Sequence, residues 1–187
     1  TMRQATKLGI FSGHVRAWQD TNTLFADEMQ VQGMGDQIIA RGNVRTSLYN
    51  TSGTDQRKTP MLTRSDHLAA HKVERKIELL GNVKIDDEQR HLTAEKATFF
   101  FDASRKMERI EAENKILLIE QPVGRKGTGD KATYFVSRRV IYLNGSPATV
   151  TSPNGSVSGD QIAIDLARNK VEIMSPTSAT KGTYKPQ

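Results

Sequence analysis

Five times along this chain a small residue and an acid open a run whose apolar side chains recur two and four positions later. The copies are Ala26-Asp27 with Met29 and Val31, Ser65-Asp66 with Leu68 and Ala70, and Ala94-Glu95 with Ala97 and Phe99. Gly129-Asp130 with Ala132 and Tyr134 and Gly159-Asp160 with Ile162 and Ile164 complete the set. Four runs close on a small residue fifteen positions after the acid, at Gly42, Gly81, Gly145 and Ser175; the third closes on Asn114, the same unit stretched by four residues. Self-similarity at a spacing of about 30–40 residues marks one supersecondary unit copied along an axis. Such a chain is one stacked array, not a compact globule.

The array reads as strands. Counting back from each closing residue, positions −4 and −2 are Ile38/Ala40, Ile77/Leu79, Ile110/Ala112, Ile141/Leu143 and Val171/Ile173. Counting forward, +2 and +4 are Val44/Thr46, Val83/Ile85, Ile116/Leu118 and Pro147/Thr149. Phe101, Val136 and Leu166 continue the phase of the acid-led halves, while Arg41, Glu78, Lys84, Glu111 and Glu172 occupy the alternate positions. Strict period two places one set on each face of a half-buried strand, and a 3.6-residue period would scatter it. Turn residues at 33–36, 102–105, 137–139 and 167–170 separate the two strands of a unit, and polar breaks at 86–88, 122–127 and 152–155 separate units. Gaps this short favour antiparallel neighbours. The expected fold is all-β: an antiparallel meander of about a dozen strands and one domain over 1–187. The array occupies about 13–176, with an N-terminal half-unit at 8–18 (Phe11, Gly13, Val15, Ala17), a polar loop at 49–64 and a flexible tail at 177–187.

Composition removes most chemistry. Without cysteine there is no disulfide, thiolate metal site or cysteine nucleophile. No Gly-x-Ser-x-Gly elbow, His-Glu-x-x-His or phosphate-binding loop occurs. His67 and His71 would share a metal on a helix, but on a strand they stand about 13 Å apart; no metal and no cofactor is expected. The recurring acids point to a structural role, with each carboxylate accepting bonds from backbone N–H groups at a strand start. No apolar run reaches the ~20 residues of a membrane span. The net charge of +6 favours an anionic partner. With Trp18 the sole tryptophan and no recognition motif, nucleic acid is not expected.

The acid–apolar–apolar opening and the Gly-Asn-Val close, Gly42-Asn43-Val44 and Gly81-Asn82-Val83, resemble the OstA-like family of lipopolysaccharide-transport proteins over about Gly13 to Pro176. That family comprises a periplasmic bridge, its inner-membrane-anchored partner and the periplasmic domain of the outer-membrane translocon. The resemblance implies an open, V-shaped antiparallel β-jellyroll, no catalytic residues, and an apolar interior that shields lipopolysaccharide acyl chains. It implies a periplasmic protein, free or tethered to a membrane component through a segment outside this sequence. Its partners would be lipid A and related jellyroll proteins, joined by edge-strand pairing or head-to-tail self-association. The implied groove lining is the in-phase set Met29, Val31, Ile38, Val44, Leu68, Ile77, Leu79, Val83, Ile85, Phe99, Phe101, Ile110, Ile116, Leu118, Tyr134, Val136, Ile141, Leu143, Ile162, Ile164, Leu166, Val171 and Ile173.

Basic residues concentrate in the intra-unit turns: Lys72, Arg75 and Lys76; Arg105 and Lys106; Arg138 and Arg139; Arg168 and Lys170. Stacking would align them along one rim, making Arg105, Lys106, Arg138 and Arg139 candidate head-group contacts. Two other readings stand beside the carrier: a structural assembly module with a closed core and no ligand, and a β-helix enzyme acting on acidic polysaccharide. The second would need shorter, more uniform coils than the 29–39 residues between successive acids.

Overall fold

The computed structural model describes residues 8–49, 59–174 and 181–184. Ser175 and Pro176, most of the 49–64 loop and most of the expected tail lie outside them. The regular elements are β1 (Leu8–Gln19), β2 (Asn22–Gln32), β3 (Gln37–Leu48), β4 (Met61–His71), β5 (Lys76–Asp86) and β6 (Arg90–Phe101). They continue with β7 (Met107–Glu120), β8 (Arg125–Phe135), β9 (Val140–Ser152), β10 (Gly155–Asp165), β11 (Lys170–Ile173) and β12 (Lys181–Tyr184). No helix occurs among the described residues. All twelve strands belong to one sheet in chain order, and each strand up to β11 is antiparallel to its neighbours. Within the expected tail, β12 pairs with the first half of β10, beside β11 on the second half. The all-β open meander expected from the periodicity is the observed fold.

The residues that close each repeat lie mid-strand. In all nine pairings from β1·β2 to β9·β10 the register slips near the strand centre. The extra residue belongs to the odd strands, and on four of them the slip is a pair with positive φ. These are Gly13 (84°) and His14 (54°), Gly42 (73°) and Asn43 (48°), Gly81 (77°) and Asn82 (48°), and Asn114 (64°) and Lys115 (54°). Glycine and asparagine tolerate that region best, so Asn114 replaces glycine at little cost. A bulge bends its strand and raises its twist. Nine aligned slips therefore crease the sheet, and the halves on either side of the crease fold toward each other.

The acids do not start strands, and for Asp27, Asp66 and Glu95 the observed partner is a side chain rather than the expected backbone N–H group. They sit on the even strands opposite the bulges. Asp27 Oδ2 accepts from Asn43 Nδ2 at 2.7 Å, Asp66 Oδ2 from Asn82 Nδ2 at 2.8 Å, and Glu95 pairs with Lys115 at 2.5 Å. Strands of eleven or more residues begin well before their acid, so a run starting at the acid shows only their second half.

The inward phase packs as expected. Phe99, Leu143, Ile162 and Ile164 are 0 % exposed and centre one continuous core. Outward, β6, β7 and β8 carry a cross-strand charge ladder. Glu111 binds Arg109 at 2.8 Å and Lys131 at 3.3 Å, and Glu113 lies near Lys96 and Lys131. The Arg109 hydrogen bond, with Lys131 adding to it, holds the Glu111 carboxyl below its ordinary value.

The crease is testable at Gly81. Its φ is +77°, and a Cβ there would lie 2.4 Å from Asp66 Oδ2. Gly81→Ala should destabilise the fold by about 1–3 kcal/mol, measured by thermal or denaturant unfolding. Adding Asp66→Ser should recover part of the loss, because the clash and the backbone strain are separate costs.

Candidate functional site

The space between the two half-layers is the one feature that all five repeats build. One rim carries the turns at 33–36, 72–75, 102–106, 136–139 and 166–169. The other carries the remaining hairpin ends, including 87–89 and 121–124. All 23 residues expected to face inward are buried or half-buried, and none is exposed. The half-buried ones, among them Val31, Ile77, Phe101, Tyr134 and Leu166, lie close to the first rim, while Ile85 and Leu118 near the second are almost fully covered.

In this conformation the space is nearly shut. A cavity of about 50 Å³ remains, walled by Met61, Leu92, Ile110, Leu118, Tyr134 and their neighbours. Ligand pockets usually enclose about 300–1,000 Å³, so an acyl chain would require the half-layers to part. Among the described residues, two contacts made by arginine side chains bridge them beyond the apolar core. Arg90, beside the second rim, lies 5.3 Å from the ring centre of Tyr134, beside the first. Arg125, from the second rim, donates through Nη2 to Asn169 Oδ1 in the turn between β10 and β11. Both bridges run from one even strand to structure about two strands further on, as the sheet's twist requires.

Each bridging arginine is held on its own side by a carboxylate. Asp87 Oδ2 accepts from Arg90 Nε at 3.1 Å and Nη2 at 2.9 Å, and Glu120 Oε2 accepts from Arg125 Nη1 at 2.8 Å. Arg125 is 6 % exposed. Its Nε and the Tyr134 hydroxyl are buried without a hydrogen-bond partner within the protein; an unmade bond of this kind costs about 1–3 kcal/mol.

Sequence reasoning missed Arg90, Arg125, Met61 and Leu92. Even strands switch inward parity at the acid, as in Thr63 and Ser65 before it and Leu68 after it, so a period-two pattern started at the acid loses the first half. A signal existed: Met61, Arg90 and Arg125 each stand five residues before the acid of their copy.

The intra-unit turns share one rim, as alternate hairpins of a meander must. Arg105, Lys106 and Arg139 are exposed there without an ion pair among the described residues, whereas Arg138 lies 4.0 Å from the centre of the Phe135 ring. Lys72 and Lys170 pair with Asp36 and Glu172. His67 and His71 lie on β4, where His71 contacts Glu74 and Glu78. Among the described residues no group of three or more His, Asp or Glu could hold a metal ion, and no helix is long and apolar enough to cross a membrane.

Comparison with known proteins follows this geometry. Comparison with curated proteins gives no match. Among solved structures the fold is similar to LptH from Pseudomonas aeruginosa, described as the LptA-homologous periplasmic component of the lipopolysaccharide transport device. The TM-score is 0.61 at 19 % identity, covering 70 % of this chain and 98 % of that one; identity that low speaks for the fold alone. Residues 62–170, more than half of the chain, match the family described as LptA/(LptD N-terminal domain) LPS transport protein. The chain belongs to that family of lipopolysaccharide-transport proteins.

Proposed function

We propose that this protein is a non-catalytic periplasmic carrier that shields lipopolysaccharide acyl chains between its half-layers during transport to the outer membrane. One observation carries the reading: a continuous apolar face is creased onto itself and closed along one side by separable side-chain contacts. Burying each Ile, Leu, Val or Phe of that face contributes about 1.5–3 kcal/mol, and acyl chains replace those contacts without requiring hydrogen bonds. Loading such chains would require the half-layers to part around the 50 Å³ cavity. A module with a permanently closed core is the competing reading.

Photo-crosslinkers at Phe101, Leu118, Tyr134 or Ile164 should capture lipopolysaccharide, and those at Glu111 or Glu172 should not. Equal labelling of the two phases would defeat the groove assignment. Arg90→Met should accelerate capture at Leu118 several-fold with little change at saturation, because it removes a closing contact and leaves the apolar lining intact.

The exposed cations of the first rim support a head-group role for Arg105, Lys106, Arg138 and Arg139. Each exposed contact contributes on the order of 1 kcal/mol or less, so the test changes all four to Gln. Retention of phosphorylated lipid A should fall, dephosphorylated lipid should be held as before, and high salt should shrink the difference.

Assembly would use the sheet's ends. β1 terminates the strand order, and its inward-phase Phe11 is 53 % exposed because no opposite half covers it. Unpaired edges template further strands. We therefore expect concentration-dependent head-to-tail oligomers with β1 (around Val15) and β11 (around Val171) at the contacts. Light scattering that gives a monomer from micromolar to millimolar concentration would oppose this.

A further inference from the structure

The outer face of the sheet is not uniform. Across β6 to β8, cations and carboxylates alternate and pair. On the first halves of β2 and β4, and the strand segments beside them, one register row reads Arg16, Phe25, Arg45, Arg64, Lys84. Arg45 stands directly opposite Arg64, and Arg64 directly opposite Lys84. Facing Cβ atoms in such pairs are about 4.5–5.5 Å apart, and like charges there repel. All four cations are exposed, and none has an ion pair among the described residues. The acids that flank the row have partners of their own: Asp27 and Asp66 on the crease are bonded to Asn43 and Asn82, and Asp86, two residues beyond Lys84 on the same face, to His91.

Apolar side chains accompany the row on the same outward phase. Trp18 is 71 % exposed, Leu62 49 % and Phe25 42 %, and Arg16 lies over the rings of Trp18 and Phe25. A shallow groove of about 530 Å³ runs through this region between Phe25, Arg45 and Leu62. Arginines at strand spacing match phosphate oxygens, and tryptophan prefers the boundary between polar head groups and acyl chains. A soluble phosphate would satisfy the cations and leave Trp18 and Leu62 in water. An anionic bilayer satisfies both.

We propose that this outer patch, centred on Arg45, Arg64 and Lys84 and flanked by Trp18 and Leu62, docks the protein on an anionic phospholipid surface. The patch lies on the opposite face of the sheet from the acyl-chain space, so it works independently of lipid carriage.

Because Trp18 is the sole tryptophan, its emission reports contact directly. The full chain is titrated with phosphatidylcholine vesicles containing about one-third phosphatidylglycerol, with pure phosphatidylcholine vesicles, and with inorganic phosphate. The expected result is a blue shift and co-flotation with the anionic vesicles alone. Near an anionic surface each cation contributes about fivefold in affinity, so R45Q/R64Q/K84Q should weaken vesicle binding on the order of a hundredfold. K72Q/R75Q/R168Q, on the first rim and outside the proposed head-group contacts, should bind as the parent does. Unshifted Trp18 emission with anionic vesicles, equal binding by the R45Q/R64Q/K84Q variant, or competition by millimolar phosphate would each overturn the proposal. Circular dichroism confirms that each variant is folded. Acyl-chain capture at Leu118 by R45Q/R64Q/K84Q separates this patch from the carrier reading: it should persist whether or not vesicles bind.

Discussion

Pairs of residues in the left-handed backbone region, placed at the middle of alternate strands, set the shape of this protein. Each pair adds a residue to its strand, and repeated strand after strand the additions form a crease. A flat sheet with one apolar face would expose that face along its whole length. Creasing presents the face to itself, so one sheet provides both walls of its own core without a second domain or a helix. The acids opposite the bulges then fix the outside of the bend through Asn43, Asn82 and Lys115.

Much of this was legible before any coordinates. Strand phase depends only on alternation, so all 23 residues of the expected lining are at least half-buried, while Phe11 on the edge strand and Pro147 keep the phase but stay exposed. The crease was visible as recurring glycines, but its meaning was not, because Gly-Asn signals a hairpin turn as readily as a bulge. Distinguishing them requires knowing what lies opposite, which is a pairing property and not a local one. The same ambiguity misplaced the acids at strand starts and hid the first halves of even strands, where inward parity changes at Ser65, Ala94 and Gly159. Arg90 and Arg125 escaped for a different reason: charged residues at inward positions contradict the pattern used to find inward positions.

The two faces divide the chemistry between them. The inner face is apolar with few polar atoms, and its closed state leaves the Tyr134 hydroxyl unsatisfied. The outer face carries the charge, paired across β6 to β8 and, among the described residues, without an ion pair along the one row Arg16, Arg45, Arg64 and Lys84 that crosses β1 to β5. Membership of a lipopolysaccharide-transport family gives the inner face a ready interpretation, and the charge asymmetry outside it adds a direction along the sheet that repetition alone would not create.

The pairing of Arg90 with Asp87 and of Arg125 with Glu120 has an energetic consequence for how the half-layers separate. Had the bridges been ion pairs spanning the two sides, opening would strand charges in partly buried places, at several kcal/mol each. Here every charge keeps its counter-ion on its own side, and only an aromatic face and a side-chain amide, both neutral, are given up. Separating the half-layers at these two bridges would therefore add no cost of stranded charge, and electroneutrality would be preserved locally on each side. On the carrier reading proposed above, acyl chains entering the space would replace apolar contacts and leave that charge balance untouched.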